Sequence, residues 1–261
     1  MVITFPYNNR LFQADLSKPL DISIPLRFEM LGDDKPTENP NAWYCPAPEI
    51  EPQQFGDFKI AVAQGAAVNS FSVRLFLHGN GTHTEGVGHL LKNLGEHTVN
   101  SVLKNFHCIA RLISIYPYKT EEGDAVISKQ HIEEAFENGD KFDALIVRTL
   151  PNDDFKKRRI WSGTNPPYFE ADALQFLAKK GIKHLLTDLP SVDREEDGGK
   201  VAAHKAFWDL DNEPRLDATI TEMIYVPNTI KDGLYLLNLQ IPSFEMDAAP
   251  SKPVLFRIEK I

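Results

Sequence analysis

Between His78 and His89, in the stretch RLFLHGNGTHTEGVGHL, the chain places three histidines and one glutamate, with glycines at 79, 81, 86 and 88. Imidazole nitrogens and carboxylate oxygens are ligands for Zn²⁺ and related divalent ions. Imidazole is also the side chain whose proton affinity suits acid/base work near neutral pH. If residues 73 to 85 run extended, His83 and Glu85 are two apart and leave the strand on one face. Regular geometry then sends His78 to the other face, and a bulge through Gly79 could bring it round. His89 follows Gly-Val-Gly, where the chain can turn or another group can come close. Two ligands do not make a tight site, so distant residues must complete it. Solvated histidines, or histidines bonded to local backbone, are the competing reading.

Those side chains need a frame. DISIPLRF, FKIAVAQGA, FSVRLFLH, CIARLISIYP, DALIVRTL, HLLTDLP and GLYLLNLQIP read as strands, short apolar runs with bounding Gly, Pro or Asp. SKQHIEEAFENG, capped by Ser128 and ending near Gly139, and PYFEADALQFLAKKG, closing at Gly181, read as helices. GVGHLLKNLGEHTVNSVLKN fits helix or loop. Strand, helix and strand over residues 143 to 189 predict a βαβ unit. The whole is a mixed α/β class with a β-rich core, read as one domain over 1–261. A proline-rich loop at about 31–57 has no hydrophobic period; loops of that length are usually functional covers or disordered segments.

Bulk properties narrow the function. The chain has 261 residues, 42% of them hydrophobic, which is enough for one sizeable core. With 28 Lys+Arg against 37 Asp+Glu its net charge is −9, and no basic run occurs, so no nucleic-acid partner is expected. Two cysteines, Cys45 and Cys108, make no disulfide framework and no CxxC pair. Neither a signal peptide nor a long apolar span is present, so no membrane partner and a cytoplasmic location are expected. Glu222, in ATITEMIYVP, shares a face with Ile220 and Ile224 if that segment is a strand. A carboxylate on an apolar face is costly unless paired or bound to a cation. His204, in VAAHKAFW, could equally be an ordinary helical histidine. Trp43, Tyr44 and Trp161 could wall a substrate ring, with core packing as the alternative.

GTHTEGVGH (81–89) resembles the signature of the metal-dependent cyclase-like hydrolases, the family of bacterial kynurenine formamidase. That signature runs roughly His-x-Gly-Thr-His-x-Asp-x-Pro-x-His, and Gly81, Thr82, His83 and His89 match it. ADLSKPLD (14–21), ALIVRT (144–149), ADALQFLAKKGIKHLLTDLPSVD (171–193) and VPNTIKDGLYLLNLQIPSF with KPVLFRI are similar to further family segments. The chain departs where the first signature histidine would fall on Gly79, where Glu85 replaces an aspartate and where Val87 replaces the proline. The resemblance implies a swivelling β/β/α fold and hydrolysis of an amide-type C–N bond, typified by release of formate from an N-formyl aromatic amine. It implies His83, Glu85, His204 and Glu222 as metal ligands, with His78 a further candidate, and His89 as the catalytic histidine. It also implies a divalent cofactor, zinc first and manganese second, a small-molecule substrate and a homo-oligomer. Asp188, Ser191 and Asp193 read as a structural turn. A binder that keeps the fold without turnover, or a hydrolase or lyase of another substrate, is the competing function.

Overall fold

The computed structural model describes residues 1–30, 38–136, 139 and 141–261. Its frame is an 11-stranded mixed sheet. The strands are β1 (Val2–Tyr7), β2 (Arg10–Asp15), β3 (Leu20–Asp21), β4 (His83–Gly86), β5 (His107–Ile115) and β6 (Ala144–Thr149). They continue with β7 (His184–Thr187), β8 (Thr219–Glu222), β9 (Gly233–Asn238), β10 (Ala248–Pro250) and β11 (Val254–Lys260). The spatial order is β1-β2-β11-β9-β5-β6-β7-β8-β4-β10, with β3 alongside β11.

Four central strands, β5 to β8, are parallel, and antiparallel strands flank them on both sides. Parallel neighbours need crossovers, and these carry helices α2 (Lys129–Glu133), α3 (Ala171–Lys179) and α4 (Ala202–Trp208). Helix α1 (Val99–Val102) precedes β5. The expected βαβ unit is therefore present as β6–α3–β7. Central parallel strands are buried on both faces and read as continuous apolar runs, and β6 is buried at every position. Its alternation still sorts the two sides. Leu145 and Val147 join Leu174, Leu177, Phe207 and Trp208 under the helices. Ala144 and Ile146 join Leu112, Leu186, Tyr235 and Leu237 on the opposite face.

Several strand expectations shorten. FSVRLFLH is extended only at Phe71–Arg74, FKIAVAQGA only at Phe58–Lys59, and DISIPLRF contributes only Asp21 to a strand. The region expected as a loop over 31–57 also contains the strand Glu49–Pro52, held between Glu29–Met30 and Phe71–Arg74; residues 31–37 lie outside the described residues. This arm stands off the main core and leaves Phe55, Phe58, Val68 and Val73 exposed. No period in the sequence distinguishes an apolar run inside the sheet from one on such an arm. The ambiguous segment after Gly86 resolves into a short turn of 3-10 helix, Val87–Leu90, then loop, then α1. Among the described residues no helix is long and apolar enough to cross a membrane.

Polar pins join the carboxyl ends of the parallel strands. Buried Asp188, just after β7, accepts from Thr149 N–H at the end of β6 and from Lys156 Nζ at 2.8 Å. At the opposite end, His184 Nδ1 lies 2.9 Å from Thr219 Oγ1. Burial, and then the neighbouring Lys183, push the pKa of His184 down to about 4. A histidine that stays neutral when folded lets the unfolded chain take the proton first. Stability from this residue is thus complete above pH 6.5 and is lost as pH falls through about 4. The loss amounts to about 3 kcal/mol. Urea unfolding of wild type and His184→Asn between pH 7 and pH 4 checks this: the variant should lose less stability by that amount, and equal slopes would refute it.

Candidate functional site

The side chains singled out by spacing meet at one edge of the parallel block, at the carboxyl end of β8. There β8 runs antiparallel to β4, with Glu222 directly opposite His83 and Ile220 opposite Glu85. Opposed residues share a face, so His83, Glu85 and Glu222 project together, while Thr84 and Thr221 pair on the reverse face at 2.8 Å. Thr82 fastens the junction: its Oγ1 donates to Met223 O at 2.6 Å and accepts from Ile24 N–H at 2.9 Å. Met223 takes a left-handed conformation, φ 51°, which ends β8 and the alternation expected to carry on to Ile224.

His204 arrives from the next crossover, on the first turn of α4. Asp193 holds it there, accepting from the Ala203 and His204 backbone N–H groups and lying 2.5 Å from His204 Nδ1. The other ring nitrogen, Nε2, is 2.9 Å from Glu85 Oε1 and 3.7 Å from Glu222 Oε1. Asp193 was expected to serve only its turn, and it also orients an imidazole of the site. Asp193 lies 11 residues from His204, which is itself 119 residues from Glu85; no sequence period marks a carboxylate of this kind.

His78 reaches the cluster without a bulged strand. The backbone turns at Phe76–Asn80, with Gly79 N–H and Asn80 N–H both donating to Phe76 O. That turn corrects the extended reading of 73 to 85 and swings the His78 ring to 5.2 Å from His83 and 4.2 Å from His89. Gly79 itself has no room for the imidazole that the signature would put there. A Cβ on it would sit 2.6 Å from Cys45 Sγ and 3.0 Å from Ala42 O, and Ala42 N–H donates to Gly79 O at 2.9 Å. Gly88 is similarly constrained, since a Cβ there would meet His97 O at 2.3 Å. His89 stands in the 3-10 turn that follows.

An unanticipated residue, Asp247, faces this group from the segment before β10. Its Oδ2 is 2.9 Å from His78 Nε2 and 3.1 Å from His89 Nδ1. The aromatic candidates are placed differently from one another. Trp161 is buried against Ala42 and Met223, beside Glu222 in sequence, whereas Trp43 is partly and Tyr44 largely exposed. Hydrogen bonds tie their two segments together, the Trp161 N–H donating to Asn41 O and the Tyr44 N–H to the Ser162 hydroxyl.

The electrostatics ask for positive charge at the centre. Glu85 is fully buried. Burial alone would raise its pKa, but His204 and then His89 more than offset this and hold it well below the usual range. Burial opposes charge on His204 too, and Glu85 with Asp193 overrides it and drives its pKa well up. For His78, burial is outweighed by Asp247 and Glu85, giving about 10. His204 thus has a carboxylate at each ring nitrogen. Without a cation, both nitrogens must carry protons; a divalent ion can replace the one on Nε2.

Two buried atoms support that fit. His83 Nδ1 lies 2.9 Å from Gly81 O and so donates, which leaves Nε2 as the lone-pair nitrogen. That nitrogen has no hydrogen-bond partner, and neither does Glu85 Oε2, although His78 Nδ1 stands 3.1 Å from it off the line of a hydrogen bond. The donor atoms of His78, His83 and Glu85 lie within 4.8 Å of one another, as do those of Glu85, His89 and His204, and those of His78, His89 and Asp247. Glu222 joins at its edges, 3.4 Å from His83 Nε2 and bonded by Val192 N–H. Imidazoles and carboxylates gathered in this way suit a divalent cation. Gly79→Ala should lower stability by about 1–3 kcal/mol through overpacking against the Ala42 carbonyl; thermal unfolding measures it, and an unchanged melting temperature would contradict the close contact.

Comparison with known proteins bears on the family and the fold. Residues 14–194 match the family described as Putative cyclase. No curated protein matches the sequence. The fold is similar to a predicted metal-dependent hydrolase from Bacillus stearothermophilus, with a TM-score of 0.58 and 17% identity over 92% of this chain and 98% of that one. It is similar to isatin hydrolase A from Labrenzia aggregata, solved with benzyl benzoate, with a TM-score of 0.64 and 16% identity over 92% and 93% of the two chains. An isatin hydrolase bound to the product analogue thioisatinate gives a TM-score of 0.61 and 14% identity over 93% of each chain. At such identities the likeness speaks for the fold.

Proposed function

This chain belongs to the Putative cyclase family, and from that premise we propose that it is a metal-dependent hydrolase of an amide-type C–N bond. One observation carries the reading: two buried, unpartnered donor atoms, His83 Nε2 and Glu85 Oε2, in a cluster where carboxylates face both nitrogens of His204. His83, Glu85, His204 and Glu222 hold the ion, and His78 Nδ1 lies beside Glu85 as a further donor. Zinc is the first choice for this donor set and manganese the second. A bound divalent ion supplies Lewis acidity, which lowers the pKa of water and polarises a carbonyl oxygen.

The protein's own groups do the rest. His89 accepts a proton from the attacking water and returns it to the leaving nitrogen. The water oxygen bonds to the carbonyl carbon, the C–N bond breaks, and an acid and an amine result. Asp193 keeps His204 turned toward Glu85 throughout. Neither cysteine suits a covalent route, because burial raises the pKa of Cys45 and lifts that of Cys108 to about 12.

For substrate we place an N-formyl aromatic amine first, as in kynurenine formamidase. The likeness to isatin hydrolases supports a second substrate reading, a cyclic aryl amide opened by the same attack. Both present a planar ring and one scissile amide.

Metal analysis of the purified protein tests the centre. Loading with zinc should give a stoichiometric ion, and His83→Ala or His204→Ala should abolish it, whereas Asp193→Asn should weaken binding by about 10–100-fold. A wild-type protein that takes up no divalent ion would leave a binder as the better reading. Hydrolysis assays with formyl-kynurenine, isatin and simple aliphatic amides then decide the substrate. Turnover of the first or second with His89→Gln slowed by about 10²–10⁴-fold is expected. Activity confined to aliphatic amides would overturn the aromatic assignment.

A further inference from the structure

Asp247 lies 158 residues from His89 and 169 from His78, yet one of its oxygens, Oδ2, meets both rings, at 3.1 and 2.9 Å. The carboxylate is firmly seated. Gly86 N–H donates to Asp247 O at 3.0 Å, and the next three residues form β10 on the edge of β4, Ala248 opposite Glu85 and Pro250 opposite His83. On the other side Val99 N–H donates to Met246 O at 2.7 Å, and Glu245 accepts from Thr98 Oγ1 and Asn100 Nδ2. Its place relative to the site is therefore fixed by the same strand that bears His83 and Glu85.

An ionised carboxylate only accepts hydrogen bonds. One oxygen that serves two imidazoles therefore requires an N–H from each, Nε2–H of His78 and Nδ1–H of His89. The remaining nitrogens, His78 Nδ1 and His89 Nε2, are 3.1 and 3.8 Å from the unpartnered Glu85 Oε2. With a divalent ion in place of the proton that Asp247 and Glu85 otherwise keep on His78, both nitrogens present lone pairs toward the same open carboxylate oxygen. The reverse tautomer of His89 would aim an N–H at Glu85 and leave Nε2 no lone pair with which to take a proton from water.

We propose that Asp247 is a positioning residue, which fixes the tautomers of His89 and His78 so that both lone pairs face Glu85. This rests on the reading of His89 as the proton carrier. It assigns to Asp247 no bond to the ion and no contact with substrate.

The test compares wild type, Asp247→Asn, His89→Gln and the double variant, each loaded with zinc. Bound zinc is measured by elemental analysis, the imidazole tautomers by long-range ¹H–¹⁵N correlation, and kcat and KM on whichever of formyl-kynurenine or isatin is turned over. Asp247→Asn should keep its zinc, show His89 shifted from the Nδ1–H form to a tautomer mixture, and lose kcat by about 10²-fold or more with KM within about threefold. In the His89→Gln background the same change should add less than about threefold, since Asp247 acts through that ring. Loss of zinc in Asp247→Asn would make the residue a ligand and overturn the proposal. An unchanged His89 tautomer, with His89→Gln inactive, would overturn the Asp247 assignment alone. Full kcat in His89→Gln would overturn the reading beneath it, and the catalytic meaning of Asp247 with it. The zinc and tautomer measurements decide between positioning and ligation even if neither substrate reacts.

Discussion

The centre of this molecule is a carboxylate where water cannot reach it. Glu85 is fully buried on β4, and burying an ion without compensation costs several kcal/mol. Everything around it reduces that cost. His204 comes from one crossover, His78 from a turn and His89 from the end of the strand, each bringing a nitrogen toward its oxygens. Those imidazoles in turn need carboxylates behind them, and Asp193 and Asp247 supply these. The result is a charge network that leaves two buried donor atoms, His83 Nε2 and Glu85 Oε2, without partners at its middle, and these set it apart from a closed salt bridge.

The sheet explains why such a network can be held still. β4 lies between β8 and β10, so His83 and Glu85 cannot shift without breaking ladders on both sides. These side chains and their supports sit where the parallel block ends, beyond the carboxyl ends of strands that are packed on both faces. Open α/β sheets place ligands in this region because the loops there diverge while the strands stay rigid. Thr82, inside the signature, shows how closely frame and site are joined: its hydroxyl ties Ile24 to Met223, one residue past Glu222.

Gly79 shows how the chain can depart from the family signature and still assemble an imidazole there. The Ala42–Cys45 segment presses against it and excludes any side chain. The turn that this contact stabilises carries His78 inward instead, so the nitrogen is recovered from a neighbouring position by a change in backbone path. A residue-by-residue reading of the signature registers a lost imidazole; the folded chain brings in a displaced one, His78, held by Asp247 rather than by strand geometry.

The sequence by itself determined the local pattern: the apolar runs of β5, β6 and β9, the β6–α3–β7 unit, and the pairing of His83 with Glu85 on one face. These follow from periods of two and 3.6 residues, which are properties of neighbouring positions. It also placed His204 and Glu222 as candidates, through resemblance and through the cost of a carboxylate on an apolar face. Tertiary structure alone decided the direction of His78, the role of Asp193 and the presence of Asp247, because each depends on a contact between segments far apart in the chain. It also decided that Trp161 packs inward while Tyr44 faces solvent, and that the run FKIAVAQGA belongs to an exposed arm. Periodicity reports which face a side chain takes on its own element; what waits opposite that face is set only when the sheet order is complete.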